Sequence, residues 1–514
     1  MNQRTGGILL PLFSMASSRS WGIGEFLDFP AFASWLTLAG QSVVQVLPIT
    51  ELPEAESSPY SALTAMALDP IFITLPALED FDALGGEAAL PDEDRRALDA
   101  VRGAGQVRHG EVRELKFRAL RRAYQHFAAT LATSSQRASR FHEFVSQHDS
   151  WLHDYALFQA LRTRQGRKPW WEWPKALASR DPHAIETAEL DQKDEISFRK
   201  YLQWIADEQW VDARRRAAPV RVFGDVPFMI SADSPDVWTR QNEFRFDGTV
   251  GVPPDAFSET GQDWGLPPWR WDVMSRNDFA WMRGRAARTA QLFDGFRLDH
   301  LVGLYRTYIR PLDPSDAPFF APSDEPAQLA LGETLVSLYA KTGAEIIAED
   351  LGTVPDYVRA SLRKLRIPGF KVLRWERAWQ QPNQPFIDPT DYDEVSVATT
   401  GTHDTEPLVT WWSSAGADEQ AAVRNMPSVR RYLEAGAPEP EALLRALLDS
   451  RSQLTIIPMQ DVFGWPDRIN TPAQVSDENW SWILPWRVDR LCDAAQARER
   501  ARALAHWTRD ARRY

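Results

Sequence analysis

Three carboxylates stand at or just beyond the ends of separate apolar runs in this sequence, and they are the residues best suited to catalysis. They are Asp299, Glu349 and Asp404. Acid–base cleavage of a glycosidic bond requires two carboxyl groups that face each other across the bond, one charged and one protonated. A fold that gathers these run ends in one place would therefore favour chemistry on a glycoside.

Asp299 lies in the segment Gly295–His300, two residues after Arg297. Side chains at positions i and i+2 of a strand project from the same face, so Arg297 and Asp299 are expected to point the same way. A neighbouring guanidinium favours the ionised form of a carboxylate, which is the form that a nucleophile requires. A structural salt bridge at the end of a strand is the alternative interpretation, and these residues alone leave both open.

Glu349 closes the apolar run Glu345–Glu349 and shares a strand face with Ile347. Its carboxyl group is therefore expected to point into the protein interior. Burial raises the pKa of a carboxyl group and so prepares it to act as a general acid. The adjacent Asp350 is expected to cap the following helix instead.

His403 and Asp404 follow the run Val395–Thr400. A carboxylate beside a histidine suits the binding of sugar hydroxyls and the stabilisation of positive charge at an anomeric carbon. A zinc site is the competing hypothesis for paired histidine and aspartate. The sequence lacks ligand pairs at the spacings that zinc sites use, so we expect no metal ion.

Short apolar and β-branched runs without strict alternation recur along the chain and are typical of parallel strands buried on both faces. The candidate strands are Ser42–Ile49, Ile71–Leu75, Arg221–Phe228, Gly295–His300, Glu345–Glu349, Phe370–Trp375, Val395–Thr400 and Leu454–Met459. The helix-like stretches between them include Phe29–Ala39, Glu333–Lys341 and Pro355–Leu365. This alternation indicates a parallel α/β fold, and eight strands favour a closed (β/α)8 TIM barrel with catalytic residues at the carboxyl ends of its strands.

A long insertion, residues 78–217, separates the second and third candidate strands. It begins with an acidic segment expected to be a linker, Glu79–Asp94, and continues into strong helix formers and a tryptophan cluster: Arg113–Leu131, Phe141–Gln165, Trp170, Trp171 and Trp173. We expect a mainly helical inserted subdomain there, with residues 1–77 and 218–514 forming the catalytic barrel. The irregular segment Phe246–Trp271 is long enough to cover or carry a functional site.

Composition argues against several classes of function. The net charge of −13 disfavours nonspecific nucleic-acid binding, which requires a basic surface. A single cysteine, Cys492, leaves no intrachain disulfide, and no apolar run approaches the roughly 20 residues of a membrane span. The G-x-S-x-G, P-loop and dinucleotide-binding patterns are missing as well. We expect a cytoplasmic protein, and its 22 tryptophans suit sugar stacking as well as core packing.

Several longer strings give the sequence a family resemblance. In chain order they are Gly6–Leu10, Ser58–Ser61, Phe223–Phe228, Asp233–Trp238, Gly251–Gly265, the three carboxylate motifs, Gln460–Asp461 and Arg468–Asn470. With them the chain resembles the 4-α-glucanotransferases known as amylomaltases or disproportionating enzymes, which form glycoside hydrolase family 77. The block Gly251–Gly265 looks like the active-site loop of that family.

The resemblance implies a role for each matching residue. Asp299 would be the nucleophile that forms a covalent glucosyl intermediate, Glu349 the acid/base, and Asp404 the residue that stabilises the transition state. The implied sugar-binding residues are Tyr60, Asp225, Gln262, Trp264, Arg297, His300, Trp375, His403 and Asn470. Tyr60 is assigned to the loop after the first barrel strand, and Trp375 is assigned as a stacking face at the end of the sixth.

The resemblance also implies the reaction and its partners. Maltooligosaccharides, amylose and glycogen, all α-1,4-glucans, would serve as donor and acceptor, with no organic cofactor and no obligatory calcium. A glucan hydrolase would share every catalytic residue and stays open as an alternative. So do a glucan-binding protein without catalysis and a metal-dependent enzyme of another class. The oligomeric state does not follow from the sequence.

Overall fold

A computed structural model describes residues 4–54, 56–131, 135–254, 260–472, 474 and 476–513. Eight parallel strands form a closed barrel. In chain order they are β1 (Thr5–Leu9), β2 (Val43–Gln45), β3 (Arg221–Val226), β4 (Gly295–Leu298), β5 (Glu345–Ala348), β6 (Gly369–Val372), β7 (Ser396–Thr399) and β8 (Leu454–Pro458). Strand β1 pairs with both β2 and β8, which closes the ring. The expected (β/α)8 barrel is confirmed.

Helices surround the barrel and connect its strands. Those outside the long insertion are Phe29–Leu38, Pro235–Thr239, Trp271–Met274, Ala280–Leu292, Val302–Tyr305, Glu325–Ala340, Asp356–Leu365, Leu408–Ser414, Ala417–Arg424, Pro427–Glu434, Glu439–Leu448, Met459–Phe463 and Ala495–Asp510. Among the described residues, none of the helices has the length and hydrophobicity that crossing a bilayer requires. All strands of the barrel run the same way, so the residues that follow β3, β4, β5 and β7 meet at one end of it.

One strand prediction is wrong. The run Ile71–Leu75 is not a strand, because Pro70–Phe72 and Leu75–Ala77 are 3-10 helices. The segment is apolar for another reason: it is buried against the inserted helices His109–Thr130 and Lys193–Ala217. An apolar run of this length fits a buried strand and a buried connector equally well, so its composition did not distinguish them.

The first barrel strand, β1, was not among the candidate strands. Its two glycines, Gly6 and Gly7, lower strand propensity, yet a Cβ atom on Gly7 would lie only 2.9 Å from the Cβ atom of Val43 on β2. Glycine is therefore needed where these two strands approach each other. With β1 in place, Val43–Gln45 is the second strand, and Tyr60 follows the second strand and not the first.

The chain between β2 and β3 is largely helical. Its α-helices are Glu79–Ala83, Asp92–Arg102, His109–Thr130, Ser135–Gln147, Asp149–Arg164, Lys175–Ala178, Pro182–Asp191 and Lys193–Ala217. The expected linker Glu79–Asp94 is itself mostly helical, and Phe141–Gln165 is divided between two helices. The helix Lys193–Ala217 packs against the barrel helix Phe29–Leu38. The division of the chain into a barrel and a subdomain of residues 78–217 stays a prediction.

A second sheet of four antiparallel strands lies outside the barrel. Its strands are Gly248–Val252, Gln262–Leu266, Thr307–Pro311 and Phe319–Ala321. The first two form a hairpin in which Gly251 faces Asp263. The expected covering segment Phe246–Trp271 thus contains two paired strands, and residues 255–259 of the block Gly251–Gly265 lie outside the described residues.

Many of the tryptophans are buried in the core. Among the largest fully buried side chains are Trp21, Trp35, Trp204, Trp210, Trp238 and Trp269. Others remain at the surface, where Trp171 keeps 51% exposure, Trp375 keeps 37% and Trp379 keeps 58%. The surplus of tryptophan in the sequence therefore reflects packing as well as surface aromatics.

Candidate active site

The carboxyl ends of β3 and β4 bring two aspartates and an arginine into contact. Asp225 and Arg297 are register partners on the two strands. The Nη1 atom of Arg297 lies 2.9 Å and 3.0 Å from the two carboxylate oxygens of Asp225, and 2.8 Å from Oδ1 of Asp299. Asp225 and Arg297 are buried, whereas the side chain of Asp299 keeps 26% exposure. Asp299 is thus fixed by an ion pair and still accessible to a substrate.

Burial and charge together set the protonation of this cluster. Burial raises the pKa of Asp225, although Arg297 acts in the opposite direction. Burial disfavours the charge on Arg297, but Asp225 and Asp299 outweigh it and hold the pKa of Arg297 well above its usual range. Tyr60 donates its hydroxyl to Oδ2 of Asp225 at 2.7 Å, and burial raises its pKa well above 10. Arg297 therefore stays cationic, and Tyr60 stays a neutral donor.

Glu349 follows β5, and its carboxylate accepts two backbone N–H groups. The amide of His300 donates to Oε2 at 2.9 Å, and the amide of Leu351 donates to Oε1 at 3.0 Å. Desolvation by burial raises the pKa of Glu349 to about 7; Arg297 lowers it and Asp299 raises it further. A carboxyl group that is partly protonated at neutral pH is suited to general acid catalysis.

His300 follows Asp299 and adopts a backbone conformation that is uncommon outside glycine, with φ of 43°. Its ring meets the ring of Trp264 edge-on, with centroids 4.8 Å apart. Burial lowers the pKa of His300 to about 4, so its imidazole is neutral near pH 7. Trp264 donates its indole N–H to Oε1 of Gln262 at 3.1 Å. The hairpin strand Gln262–Leu266 therefore lies directly against the residue after Asp299.

Asp404 follows β7 and contacts two of the predicted residues. Nε2 of His403 lies 3.2 Å from its Oδ2, and the amide of Asn470 donates to its Oδ1 at 2.6 Å. Burial opposes ionisation of Asp404, but His403 and Asn470 outweigh it and hold the pKa of Asp404 well below its usual range. Burial likewise opposes the charge on His403, and Asp404 raises its pKa in spite of that. Asp404 is therefore ionised at neutral pH, whereas Glu349 is partly protonated.

Tyr60 joins these two groups of residues. Its ring stacks on the ring of His403, with centroids 5.0 Å apart, while its hydroxyl binds Asp225. Trp375 stands apart: it follows β6 and makes no hydrogen bond or ring contact with the other predicted site residues in the part of the chain that the structure describes. The remaining predicted residues form one connected set.

Two further residues border the site. The ring of Trp480 lies 5.9 Å from that of Tyr60 and 5.8 Å from that of His403. Arg468 donates from Nη2 to the backbone carbonyl oxygen of Asp404 at 2.8 Å. Arg468 lies in a motif that carried the family resemblance, whereas nothing in the sequence around Trp480 indicates this position. Only the fold brings Trp480 to the site.

The residues of the site do not supply a set of metal ligands. Groups of three or more histidine, cysteine, aspartate or glutamate side chains that would hold a metal ion do not occur within the described ranges. The pair His403 and Asp404 is committed to its mutual contact and to Asn470. The expectation that no metal ion is bound stays a prediction.

Comparison with known proteins identifies the family. A family model described as 4-alpha-glucanotransferase matches residues 10–488. The chain belongs to the 4-alpha-glucanotransferase family. The 4-alpha-glucanotransferase of Chlamydia pneumoniae is 32% identical over 500 residues, which cover 94% of this chain and 92% of the relative. The 4-alpha-glucanotransferase of Thermus thermophilus is 31% identical over 524 residues, which cover 97% of this chain and 99% of the relative.

A solved structure agrees with this assignment. The amylomaltase from Streptococcus agalactiae, in complex with acarbose, matches with a TM-score of 0.84 and 26% identity. The match covers 99% of this chain and 100% of that chain. The resemblance seen in the sequence is therefore confirmed, and the chain is an enzyme of the 4-alpha-glucanotransferase class.

Proposed function

We propose that this enzyme transfers segments of α-1,4-glucans by a retaining mechanism, through a covalent intermediate on Asp299. One observation carries the proposal: the backbone N–H of His300, the residue next to Asp299, donates to the carboxylate of Glu349. The charge of Asp299 also raises the pKa of Glu349, so the two carboxyl groups are near enough to interact. Retaining enzymes need a close pair, about 5–5.5 Å apart, because one carboxylate must reach the anomeric carbon itself.

In the first half of the reaction, a carboxylate oxygen of Asp299 bonds to the anomeric carbon of the donor sugar. The bond from that carbon to the glycosidic oxygen breaks, and Glu349 gives its proton to the departing oxygen. Arg297 supports this step because it pairs with Asp299 and keeps the nucleophile oriented. The charged Asp404 is suited to stabilise positive charge that develops at the anomeric carbon.

In the second half, Glu349 takes the proton of the 4-hydroxyl of an acceptor sugar. The acceptor oxygen bonds to the anomeric carbon, and the bond to Asp299 breaks, which restores an α-1,4 linkage. The change of role has an electrostatic cause. Asp299 raises the pKa of Glu349 while it is charged, and it loses that charge in the covalent intermediate. The pKa of Glu349 then falls, and the group becomes a base.

Transfer succeeds over hydrolysis when a sugar reaches the intermediate more effectively than water does. Trp264 supports this preference because the hairpin holds its indole against His300, next to the nucleophile. An aromatic face at this position excludes water and offers a stacking surface for an acceptor sugar. α-1,4-glucans such as maltooligosaccharides are accordingly the substrates on both sides of the reaction.

The test is incubation with maltotriose alone, with products resolved by chain length. The wild type should yield glucose and a series of longer maltodextrins. Asp299→Asn should lose this activity by roughly 10⁴-fold or more, because an amide does not form the covalent intermediate. Asp313→Asn, which changes an exposed aspartate on another loop, is the matched control and should behave as the wild type.

Each outcome has a clear meaning. Glucose and maltose without longer products would identify a hydrolase that shares the same residues. A product series that persists in Asp299→Asn would contradict the assignment of the nucleophile. A wild type that binds maltodextrins without converting them would contradict the proposed reaction as a whole.

A further inference from the structure

Two exposed aromatic side chains lie outside the active site on one rigid support. Trp171 keeps 51% exposure and Phe246 keeps 49%. Both rings contact Trp170, which is buried between them: the centroid distances are 5.6 Å to Trp171 and 6.1 Å to Phe246. We call Trp171 and Phe246 the outer aromatic pair. Hydration of exposed aromatic side chains of this size is unfavourable, so a rigid pair of them indicates a binding surface.

The support of the outer aromatic pair is firmly anchored. Trp170 donates its indole N–H to the carbonyl oxygen of Ala232 at 2.8 Å and its backbone N–H to Asp233 at 3.1 Å. Asp233 also accepts a hydrogen bond from Arg162 at 3.0 Å. On the other side of Trp171, Trp173 is buried and donates its indole N–H to the carbonyl oxygen of Lys168 at 2.8 Å. Trp171 is therefore presented by a fixed backbone and not by a loose loop.

The anchor connects the outer aromatic pair to the active site. Ala232 and Asp233 belong to the connection that leaves β3, the strand that carries Asp225. Six residues separate Asp225 from Ala232, so an extended chain would span at most about 25 Å between them. Phe246 likewise precedes the hairpin strand Gly248–Val252, and Gly251 of that strand lies about 17 Å or less along the backbone. The anchor of the pair is therefore within reach of a long sugar chain that extends from the carboxylates.

The chemistry of this surface fits a sugar chain. Indole and phenyl faces pack on the apolar C–H faces of pyranose rings. Beside Phe246, Arg245 and Asp247 form an exposed ion pair with N···O distances of 2.9 Å and 2.7 Å, and these groups offer donors and acceptors to sugar hydroxyls. A protein partner would bury roughly 800 Å² on each side, far more than two half-exposed rings provide.

We propose that the outer aromatic pair is an accessory binding surface for long α-glucan chains, which it holds while their ends react in the barrel. The proposal rests on the proposed function for the class of sugar. We expect a substrate as short as maltotriose to occupy the cleft alone. The surface therefore contributes to the affinity for amylose or glycogen and does not contribute to the turnover of maltotriose.

The test compares the double variant Trp171→Ala/Phe246→Ala with the wild type. In native gels that contain soluble amylose, the variant should be retarded less, with an apparent dissociation constant raised about threefold to tenfold. Its kcat/KM should fall by a similar factor on amylose and stay within twofold on maltotriose. Leu190→Ala, which shortens a 75% exposed side chain on the helix Pro182–Asp191, is the control and should change neither value.

The conservative double variant Trp171→Phe/Phe246→Tyr retains both aromatic faces and should keep most of the amylose affinity. Wild-type retardation of the alanine double variant would overturn the proposal, and so would an equal loss on maltotriose and amylose. These readouts are separate from the test of the proposed function. A wild type that forms no longer products from maltotriose would refute the proposed reaction, while the retardation in amylose gels would still decide whether the outer aromatic pair binds glucans.

Discussion

At the scale of single residues, the site contains two carboxyl groups whose surroundings drive them to opposite protonation states. Glu349 is desolvated, so its pKa rises to about 7 although Arg297 and the backbone N–H of Leu351 lower it. Asp404 is paired with His403 and Asn470, so its pKa stays well below its usual range. One carboxyl group that is partly protonated at neutral pH and one that is ionised thus lie in the same site, and the proposed glycosidic chemistry needs both.

The raised pKa of Glu349 predicts a limit on activity at alkaline pH. The acid form persists up to about pH 7, and above it the protonated fraction falls about tenfold per pH unit. The kcat/KM for maltotriose should therefore decline above about pH 7. The measurement is a pH profile of initial rates from pH 5 to 9. A flat profile through pH 8 would rule out Glu349 as the proton donor.

The leaving group provides the control for this assignment. The fluoride ion of an α-maltosyl fluoride donor leaves without being protonated. Glu349→Gln should therefore still form the covalent intermediate from this donor. The same variant should lose about 10²–10⁴-fold in rate on maltotriose, which needs the proton. If Glu349 had only a structural role, the variant would lose activity equally on both donors.

Asn470 is predicted to act through Asp404. Its amide donates to Oδ1 of that carboxylate at 2.6 Å, and hydrogen bonds to charged groups contribute about 1.5–3 kcal/mol. Asn470→Ala should therefore lower kcat/KM about tenfold to a hundredfold. In a double-mutant cycle with Asp404→Asn, the two losses should not add, because the second change removes the charge that Asn470 supports. Additive losses would place Asn470 in a separate role.

At the scale of secondary-structure elements, burial on both faces decided what the sequence could predict. Strands such as β4 and β5 are short, mostly apolar runs that carboxylates follow directly, and the pattern identifies them. Strand β1 does not show the pattern because it contains two glycines. Gly7 is needed where β1 approaches Val43 of β2, and the local sequence does not reveal that contact. The run Ile71–Leu75 has the apolar pattern of a strand but is not one, because helices from elsewhere in the chain bury it.

The same limit applies to the site. Motifs indicate the carboxylates, Arg297 and His403, because each lies in or soon after a recognisable strand. The hydrogen bond from the His300 amide to Glu349 depends on how β4 and β5 pair, and the ring of Trp480 reaches Tyr60 from a segment far along the chain. Contacts of this kind arise only from the three-dimensional arrangement.

The hairpin element carries a prediction about transfer and hydrolysis. Trp264→Ala removes the indole from beside His300 and opens the intermediate to water. The ratio of hydrolysis to transfer, measured as reducing ends released per longer product formed from maltotriose, should rise several-fold. Leu312→Ala, at an exposed position next to the same sheet, is the control and should leave the ratio unchanged. An unchanged ratio in Trp264→Ala would contradict the role of the hairpin.

At the scale of the whole molecule, barrel and insertion share buried contacts. Lys116 lies on the inserted helix His109–Thr130, and Glu25 shortly precedes the barrel helix Phe29–Leu38. The Nζ atom of Lys116 lies 2.6 Å from Oε1 of Glu25, and both side chains have no exposed surface. Lys116 also donates to the carbonyl oxygen of Ile71 at 2.7 Å. A buried ion pair therefore joins the two parts of the chain.

Breaking that pair on one side should destabilise the protein. Lys116→Met leaves the carboxyl of Glu25 buried without its cation, and such changes cost about 3–5 kcal/mol in the free energy of unfolding. Urea denaturation measures the loss. The double variant Glu25→Gln/Lys116→Met, which removes both charges, should recover part of it. A single variant as stable as the wild type would show that the pair contributes nothing.

The pH dependence of this variant has a definite sign. Burial already raises the pKa of Glu25 to about 7 even with Lys116 present, and loss of the cation raises it further. A folded-state pKa above the unfolded value of about 4.3 means that the native state binds more protons, so its stability falls as pH rises between the two values. The stability deficit of Lys116→Met should therefore be larger at pH 8 than at pH 5.

The peptide group between Asp299 and His300 has a consequence for the stereochemical outcome of the reaction. Because its N–H binds Glu349, main-chain atoms help to set the separation between Asp299 and Glu349, the proposed nucleophile and proton donor. Side-chain changes elsewhere should alter whether a sugar or water enters as acceptor, but they should not increase the separation between Asp299 and Glu349. Under the proposed mechanism, the anomeric configuration of the product therefore depends on the barrel backbone, and a variant that hydrolyses instead of transferring should still release the α-anomer.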